Sequence, residues 1–465
     1  MKIWELTFTF REVMLDLALI GSLFLVATLA RRYVGLFQRF LIPNSLIAGF
    51  LGLLVGPQLL DLLGYSTDRM EVYVYHLLTL TFISVGLQGG IGKRSKGALM
   101  FGFIQIMSFL LQVIVGLIVA LAISAYLNPN VVPAVGTLLP LGFGMGPGPA
   151  YSIGQAWEAR GFVGGGSVGL TIATVGFLMA YTTGVVLMNH GIRKGWSTLI
   201  QGEHRLTPSM RTGFVTEDPK PIGGRLTLST SAIEPMTFHL ALVGGVYLAA
   251  YGVGRGLENM LIEMGQAQRV STLWGFHFIL ANILALMARR LMGWLRIGGL
   301  VDEGLMHRST GMLSDALVAT SILAISLSVA WDYIVPILIM GLLGAGVTYL
   351  SIRWVAQRAF DDYHFERMTG AYAQMTGNIS SGLALIRVTD PQFETPVAQD
   401  LALGSGVAFV LGLPLFVLIE LPFDLFQGRT EGYLWVIGLS ALYLVAILLV
   451  WSRVGLARQR KVTFR

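Results

Sequence analysis

Two short stretches of this chain break apolar sequence with residues that free the backbone and offer oxygen. The first, Gly142-Phe143-Gly144-Met145-Gly146-Pro147-Gly148-Pro149, mixes glycines, which admit dihedrals closed to other residues, with prolines, which lack an amide donor and stop a helix. A helix resuming at Ala150 would present Tyr151, Ser152 and Gln155. The second, Thr376-Gly377-Asn378-Ile379-Ser380-Ser381-Gly382, sets hydroxyls and one amide between apolar flanks. Within hydrocarbon, non-helical backbone survives only where protein or a water-filled cavity supplies partners. Half-helix amino ends then attract an anionic group, while carbonyl ends and side-chain oxygens suit a sodium ion. Gly144, Gly146, Gly148, Tyr151 and Gln155 of the first stretch, with Asn378, Ser380, Ser381 and Gly382 of the second, are the candidate solute-binding residues. One glycine-rich stretch alone would serve equally for close helix packing. Two in matching places carry the inference to a binding site.

Candidate sodium ligands surround these stretches. Asp315, in Leu313-Ser314-Asp315-Ala316, lies inside an apolar run, where a carboxylate is costly unless paired or hydrated. The alternative is that it lies close enough to the cytoplasmic end to reach water. Thr320 and Ser321 follow one to two turns on, and Thr376 opens the second stretch. Thr171 and Thr174 follow the first stretch, although membrane threonines commonly bond back to their own helix. Gln88 ends a span as a packing or capping residue, or as the repeat counterpart of Ser326 and Ser328. Arg387 either attracts an anion on the cytoplasmic route or anchors that edge. Asp16 and Asp400 read as wet span ends, and Trp331 and Trp435 as interfacial anchors.

The elements that must position these residues are membrane spans. Of 465 residues, 54% are hydrophobic and 12% charged, against about 25% charged in a soluble domain. Apolar runs long enough for a hydrocarbon core of roughly 30 Å recur along the chain. Eleven spans are expected near 13–30, 42–60, 72–90, 98–127, 163–188, 236–256, 271–288, 311–330, 334–352, 397–420 and 433–451. The segments 134–157 and 369–388 are apolar but broken. The first run carries Asp16 and no basic segment precedes it, so it reads as a retained span and not a signal peptide. With no cysteine there is no disulfide or thiolate site, and the seven histidines lack the spacing of a transition-metal site. The net charge of +6 resides in loops, which argues against a nucleic-acid partner.

Loop charge sets the topology. Arg31, Arg32 and Arg39, then Lys93, Arg94 and Lys96, then Arg193, Lys194, Arg205 and Arg211 follow alternate spans and should be cytoplasmic. So should Arg289, Arg290, Arg296, Arg353 and Arg358, and the tail with Arg453, Arg458, Arg460, Lys461 and Arg465. The other loops carry Asp61, Asp68, Glu71, Glu258, Glu263, Glu420, Asp424 and Glu431. The alternation holds only if both broken segments enter and leave on one side, as re-entrant hairpins. The fold class is therefore an all-α integral membrane protein built as an inverted repeat of two five-span units. Residues 1–188 form the first repeat, 189–235 a flexible cytoplasmic linker, 236–420 the second repeat and 421–465 an additional span with a basic tail. The amino terminus is external and the carboxyl terminus cytoplasmic, in an inner membrane.

At these segments the chain resembles the glutamate:sodium symporter family of secondary transporters. The likeness lies in Ile42-Pro43 before a small-residue span, Val85-Gly86-Leu87-Gln88 before a basic turn, the glycine-rich hairpin running to Ala156-Trp157, and the Ser/Thr-Gly-rich second hairpin, in order over residues 15–420. It implies two inverted five-span repeats, sodium coupling without an organic cofactor, a small anionic solute, a lipid bilayer and often a homodimer. The family's first hairpin reads close to Ser-Gly-Gly-His-Gly-Thr-Gly, whereas here Phe143 and Met145 stand in it and no histidine does. The second hairpin has Ala371-Tyr372 in place of Gly-His. These departures leave the solute open between a glutamate-like amino acid and another carboxylate. Proton coupling or exchange on the same fold, a channel and a membrane enzyme are the alternatives to sodium symport. No compact acid, histidine or metal constellation favours the enzyme.

Overall fold

The computed structural model describes residues 8–88, 95–200, 208–215, 223–391 and 393–453. Lys93, Arg94, Arg205, Arg458, Arg460, Lys461 and Arg465, used above for topology, lie outside the described residues. The described chain is helical and holds no strand. In order the main helices are α1 Phe10–Tyr33, α2 Asn44–Val55, α3 Thr67–Leu87, α4 Lys96–Tyr126, α5 Pro133–Met145, α6 Pro147–Glu158 and α7 Gly165–Arg193. There follow α8 Pro235–Glu263, α9 Ala267–Gly275, α10 His277–Trp294, α11 Glu303–Leu323, α12 Leu327–Asp332 and α13 Ile334–Ala359. The last are α14 His364–Thr376, α15 Ile379–Thr389, α16 Val397–Asp424 and α17 Thr430–Arg453.

Eight of these helices are long and apolar enough to cross a membrane, or nine if α9 and α10, bent by 60°, count as one broken span. Two expected spans differ. α2 has 12 residues, about 18 Å at 1.5 Å per residue, well short of a hydrocarbon core. α11 has 21 residues but carries Glu303, His307, Arg308 and Asp315. The span expected at 311–330 also stops at Leu323 and resumes as α12. Distant side chains end it: Ser326 N–H donates to Ser167 Oγ at 2.8 Å and Leu327 N–H to Gln58 Oε1 at 2.8 Å.

α3, α4 and α7 form the centre, with 61%, 61% and 67% of their apolar windows buried, while α1, α8 and α17 are peripheral at 22% each. α3 packs against α10 and α11, and α4 against α13 and α16. α7 carries the small residues that let α6 lie on it. A methyl added at Gly169 would stand 2.3 Å from the Ala150 carbonyl oxygen, so the two backbones nearly touch. α17 straps the bundle through Tyr443, which donates to Leu411 O at 2.7 Å, and through Trp451, whose ring lies 5.6 Å from that of Trp354. Trp331 and Trp435 are exposed.

Asp16 and Asp400 are not wet span ends. Asp16 is buried against Arg69 at 2.7 Å and the Tyr73 hydroxyl at 3.0 Å. Asp400 is buried against Arg367 at 2.8 Å and accepts from Ser95. An arginine partner replaces water in each case. In the expected flexible segment, α7 runs on to Arg193, Ser197 Oγ donates to Glu366 at 2.6 Å, and Arg31 donates to Met210 O at 3.0 Å.

Replacing Arg367 by alanine strands Asp400 as a buried, unpaired charge, which should cost about 3–5 kcal/mol. The measurement is the unfolding temperature of the detergent-purified protein. The double change Arg367→Met with Asp400→Leu should recover most of the loss, and no loss in the single variant would contradict the pairing.

Candidate functional site

Both broken segments form pairs of half-helices, with far less irregular backbone than expected. In the first, α5 ends in a single π-turn over Leu141–Met145, and Gly146 alone leaves the helix. Its φ of 88° and ψ of −175° belong to a region that only glycine enters without strain. The helix resumes at Pro147 and not at Ala150, because a fixed φ suits proline to a helix's first position. Pro147 and Pro149 also remove two amide donors that would otherwise be orphaned there. In the second, only Gly377 and Asn378 separate α14 from α15. Asn378 caps α15: its Oδ1 accepts from Ser381 N–H at 3.0 Å and lies 3.3 Å from Ser381 Oγ. Ser380, Ser381 and Gly382 therefore belong to the first turn of α15.

The two breaks meet. A methyl on Gly146 would find Asn378 Cβ as its nearest neighbour, at 3.8 Å, and one on Gly144 would strike Met375 Cε. Behind them α7 passes close to both tips, with Gly176 against Phe143 and the Thr376 carbonyl, and Ala180 against Gly377. From α4, Gln112 Nε2 donates to Met375 O at 2.8 Å and to Thr348 Oγ1 of α13 at 2.9 Å. It thus satisfies a carbonyl of the last turn of α14, and its own Oε1 is buried without a partner. The amino ends of α6 and α15 consequently open on one junction, in a setting where a helix-end dipole is weakly screened.

Asp315 lies on the exposed side of α11, which packs against α6 and α7, the helices that form and back this junction. The Ser45 hydroxyl of α2 faces its carboxylate, and no cation pairs with it among the described residues. Tyr181 of α7 lies within electrostatic reach of Asp315 and Arg31, and its hydroxyl faces Ser381. Tyr181 thus neighbours both Asp315 and Ser381, predicted for different subsites.

Other expected residues go elsewhere. Tyr151 turns from the junction to donate to Glu71 at 3.2 Å, and Gln155 packs beside Gly166. Gln88 donates to Thr310 of α11 at 2.6 Å, while Ser326 and Ser328 pair with each other at 3.0 Å. The hydroxyls of Thr171, Thr174, Thr320, Ser321 and Thr376 all donate to carbonyls of their own helices. Gly144, Gly146 and Gly148 lie at or beside the first break. Arg387 stacks over Phe393 at 4.8 Å from the ring centroid.

Gln112, Thr348, Tyr181 and Ser45 were not singled out from sequence. Gln112 had a signal, being an amide in Phe109-Leu110-Leu111-Gln112-Val113-Ile114, where hydrocarbon demands a partner. No family model matches this chain, nor does any curated protein or solved structure.

Asn378→Ala removes the cap of α15 and should destabilise by about 1 kcal/mol, whereas Asn378→Ser keeps an acceptor and should lose less. Thermal unfolding of the two variants in one detergent makes the comparison, and equal loss would argue against the capping role.

Proposed function

We propose that this chain is a sodium-coupled secondary transporter, a symporter of a small organic anion such as a glutamate-like amino acid or another carboxylate, working by alternating access. The observation that carries the reading is the meeting of the two helix breaks. Two half-helix amino ends open on one point, and Asp315, a carboxylate with no ion pair among the described residues, sits on α11, which packs on the helices α6 and α7 around it. The amino ends suit the anion, and Asp315 with Ser45 suits the cation that must accompany it.

An inverted repeat is supported by matched packing. A shift of 236 residues carries Gly49 to Ala285 and Gly86 to Ile322. A methyl on Gly49 would lie 2.7 Å from Ile322, and one on Gly86 would lie 2.7 Å from Ala285. The re-entrant reading gains support from the hairpin bases. Arg160, just past α6, pairs with Glu420 and Asp424 at the end of α16, and the Tyr433 ring, early in α17, lies beside the Ala134 backbone at the base of α5. Arg367, near the start of α14, pairs with Asp400 at the beginning of α16. These contacts set both ends of the first hairpin near the end of α16 and the start of the second near its beginning, as a re-entrant path would. Arg31, Arg193, Arg358 and Arg453 lie in the last turns of α1, α7, α13 and α17, so the positive-inside rule favours a cytoplasmic carboxyl end for these helices in an inner membrane, with the amino terminus external.

A proton-coupled carrier or an exchanger would use the same fold, with a proton neutralising Asp315. Uptake into proteoliposomes, with glutamate and small dicarboxylates as probes and choline replacing sodium, separates the two. In the symporter Asp315→Asn should abolish sodium stimulation while the protein still folds. Unchanged sodium dependence in that variant refutes the assigned role.

A further inference from the structure

The two hairpins are unequally engaged with the helices facing them. α6 lies tight against α3 and α9. Ser152 Oγ donates to Gly275 O at 2.8 Å, and a methyl on Gly275 would lie 2.7 Å from Ala156 Cβ. A methyl on Gly148 would lie 2.4 Å from Leu78 Cδ1. On the same face, Ser167 and Gln58 close the turn between α11 and α12.

Among the described residues α15 has no such partner. It packs on α7, α14 and α16, and a cleft of about 520 Å³ lies below it, lined by His307 of α11, Leu383 of α15, the loop over 393–396, and Ala398, Gln399 and Ala402 of α16. One wall continues up α11 through His307, Gly311 and Asp315, spaced one helical turn apart and all exposed. Nothing lies within 4 Å of a methyl placed on Gly311. α15 likewise leaves Ser380 at its tip and Arg387 two turns below exposed, with Leu383 of the cleft between them in sequence. From His307 to Asp315 the path rises about 12 Å along the helix. A carboxylate and a guanidinium on these walls are costly in hydrocarbon, so water and not lipid fills the space.

We propose that this cleft is the cytoplasmic limb of the solute path, open in this structure while the external limb is shut. The proposal rests on the inverted-repeat carrier reading. The repeat then names the contact made when the limbs exchange. α6 begins at Pro147 and α15 at Ile379, so Ser380 corresponds to Gly148. α3 begins at Thr67 and α11 at Glu303, so Ser314 corresponds to Leu78. Closure brings Ser380 onto Ser314 as Gly148 now lies on Leu78. That contact forms next to Asp315, whose bare charge opposes burial, so the cleft closes readily only once a cation is bound. Coupling follows from this single penalty.

The natural absence of cysteine makes the test direct. Gly311→Cys and Ala402→Cys, each as the sole thiol, should react with a membrane-impermeant maleimide from the cytoplasmic face of inside-out vesicles and not from outside in right-side-out vesicles. Leu78→Cys should resist from both sides. Labelling after denaturation shows that each variant was inserted, and Gln399→Cys replaces either cleft position if it is not. Ser314→Cys with Ser380→Cys should oxidise to a cross-link in sodium chloride at least several-fold faster than in choline chloride, and the cross-link should stop uptake. Labelling of the cleft positions from outside only, or cross-linking indifferent to sodium, overturns the proposal even if sodium-driven uptake stands. Loss of sodium-driven uptake with the labelling pattern intact would remove the symport reading and leave the water-filled cleft in place.

Discussion

A helix interrupted at membrane depth releases backbone groups that hydrocarbon cannot satisfy, and most of this structure answers that constraint. At the first break the sequence removes donors by placing Pro147 and Pro149 in the opening turn of α6. At the second it adds a cap, Asn378, for the opening turn of α15. The freed carbonyl of Met375 accepts a hydrogen bond from Gln112 Nε2, itself braced on Thr348. The crossing of α4 and α13 is therefore as much part of the site as the hairpins are. α7 can reach both tips only because it presents Ala173, Gly176 and Ala180 towards them.

The charges divide the same way. At the hairpin bases they are paired around buried carboxylates: Trp157, Arg160 and Thr272 gather on Glu420, while Arg367 and Ser95 gather on Asp400. Such buried pairs contribute little net stability, yet they fix where a segment is fastened. At the tips no ion pair does the same among the described residues, and Asp315 is left with a hydroxyl for company. Bases fastened by charge and tips held by packing and neutral hydrogen bonds suit segments whose inner ends must change neighbours, which is what the proposed transport cycle asks of them.

The sequence was most readable where the chemistry is local. Glycine and proline act on their own residue and the next, so the break near Gly146 and that at Gly377 could be placed within a few positions. Partners distant in sequence hid the rest. Asp16 and Asp400 read as wet ends because Arg69 and Arg367 are not their neighbours in sequence. The end of α11 was missed because Ser167 and Gln58 terminate it. Tyr151 was assigned to the junction by its spacing from the prolines, whereas helix α6 begins earlier than expected and turns that ring to Glu71. Threonine hydroxyls followed the ordinary rule of bonding to their own helices.

The brevity of α2 has an electrical meaning. This helix is 12 residues long, and the Ser45 side chain near its start faces Asp315. If water reaches Asp315 through the cleft, the insulating layer beside the carboxylate is not the full bilayer but roughly the length of α2, about 18 Å. On the proposed reading, the membrane potential then falls across that thin septum. A cation crossing it gains about 2.3 kcal/mol per 100 mV, so voltage as well as concentration would drive the ion step.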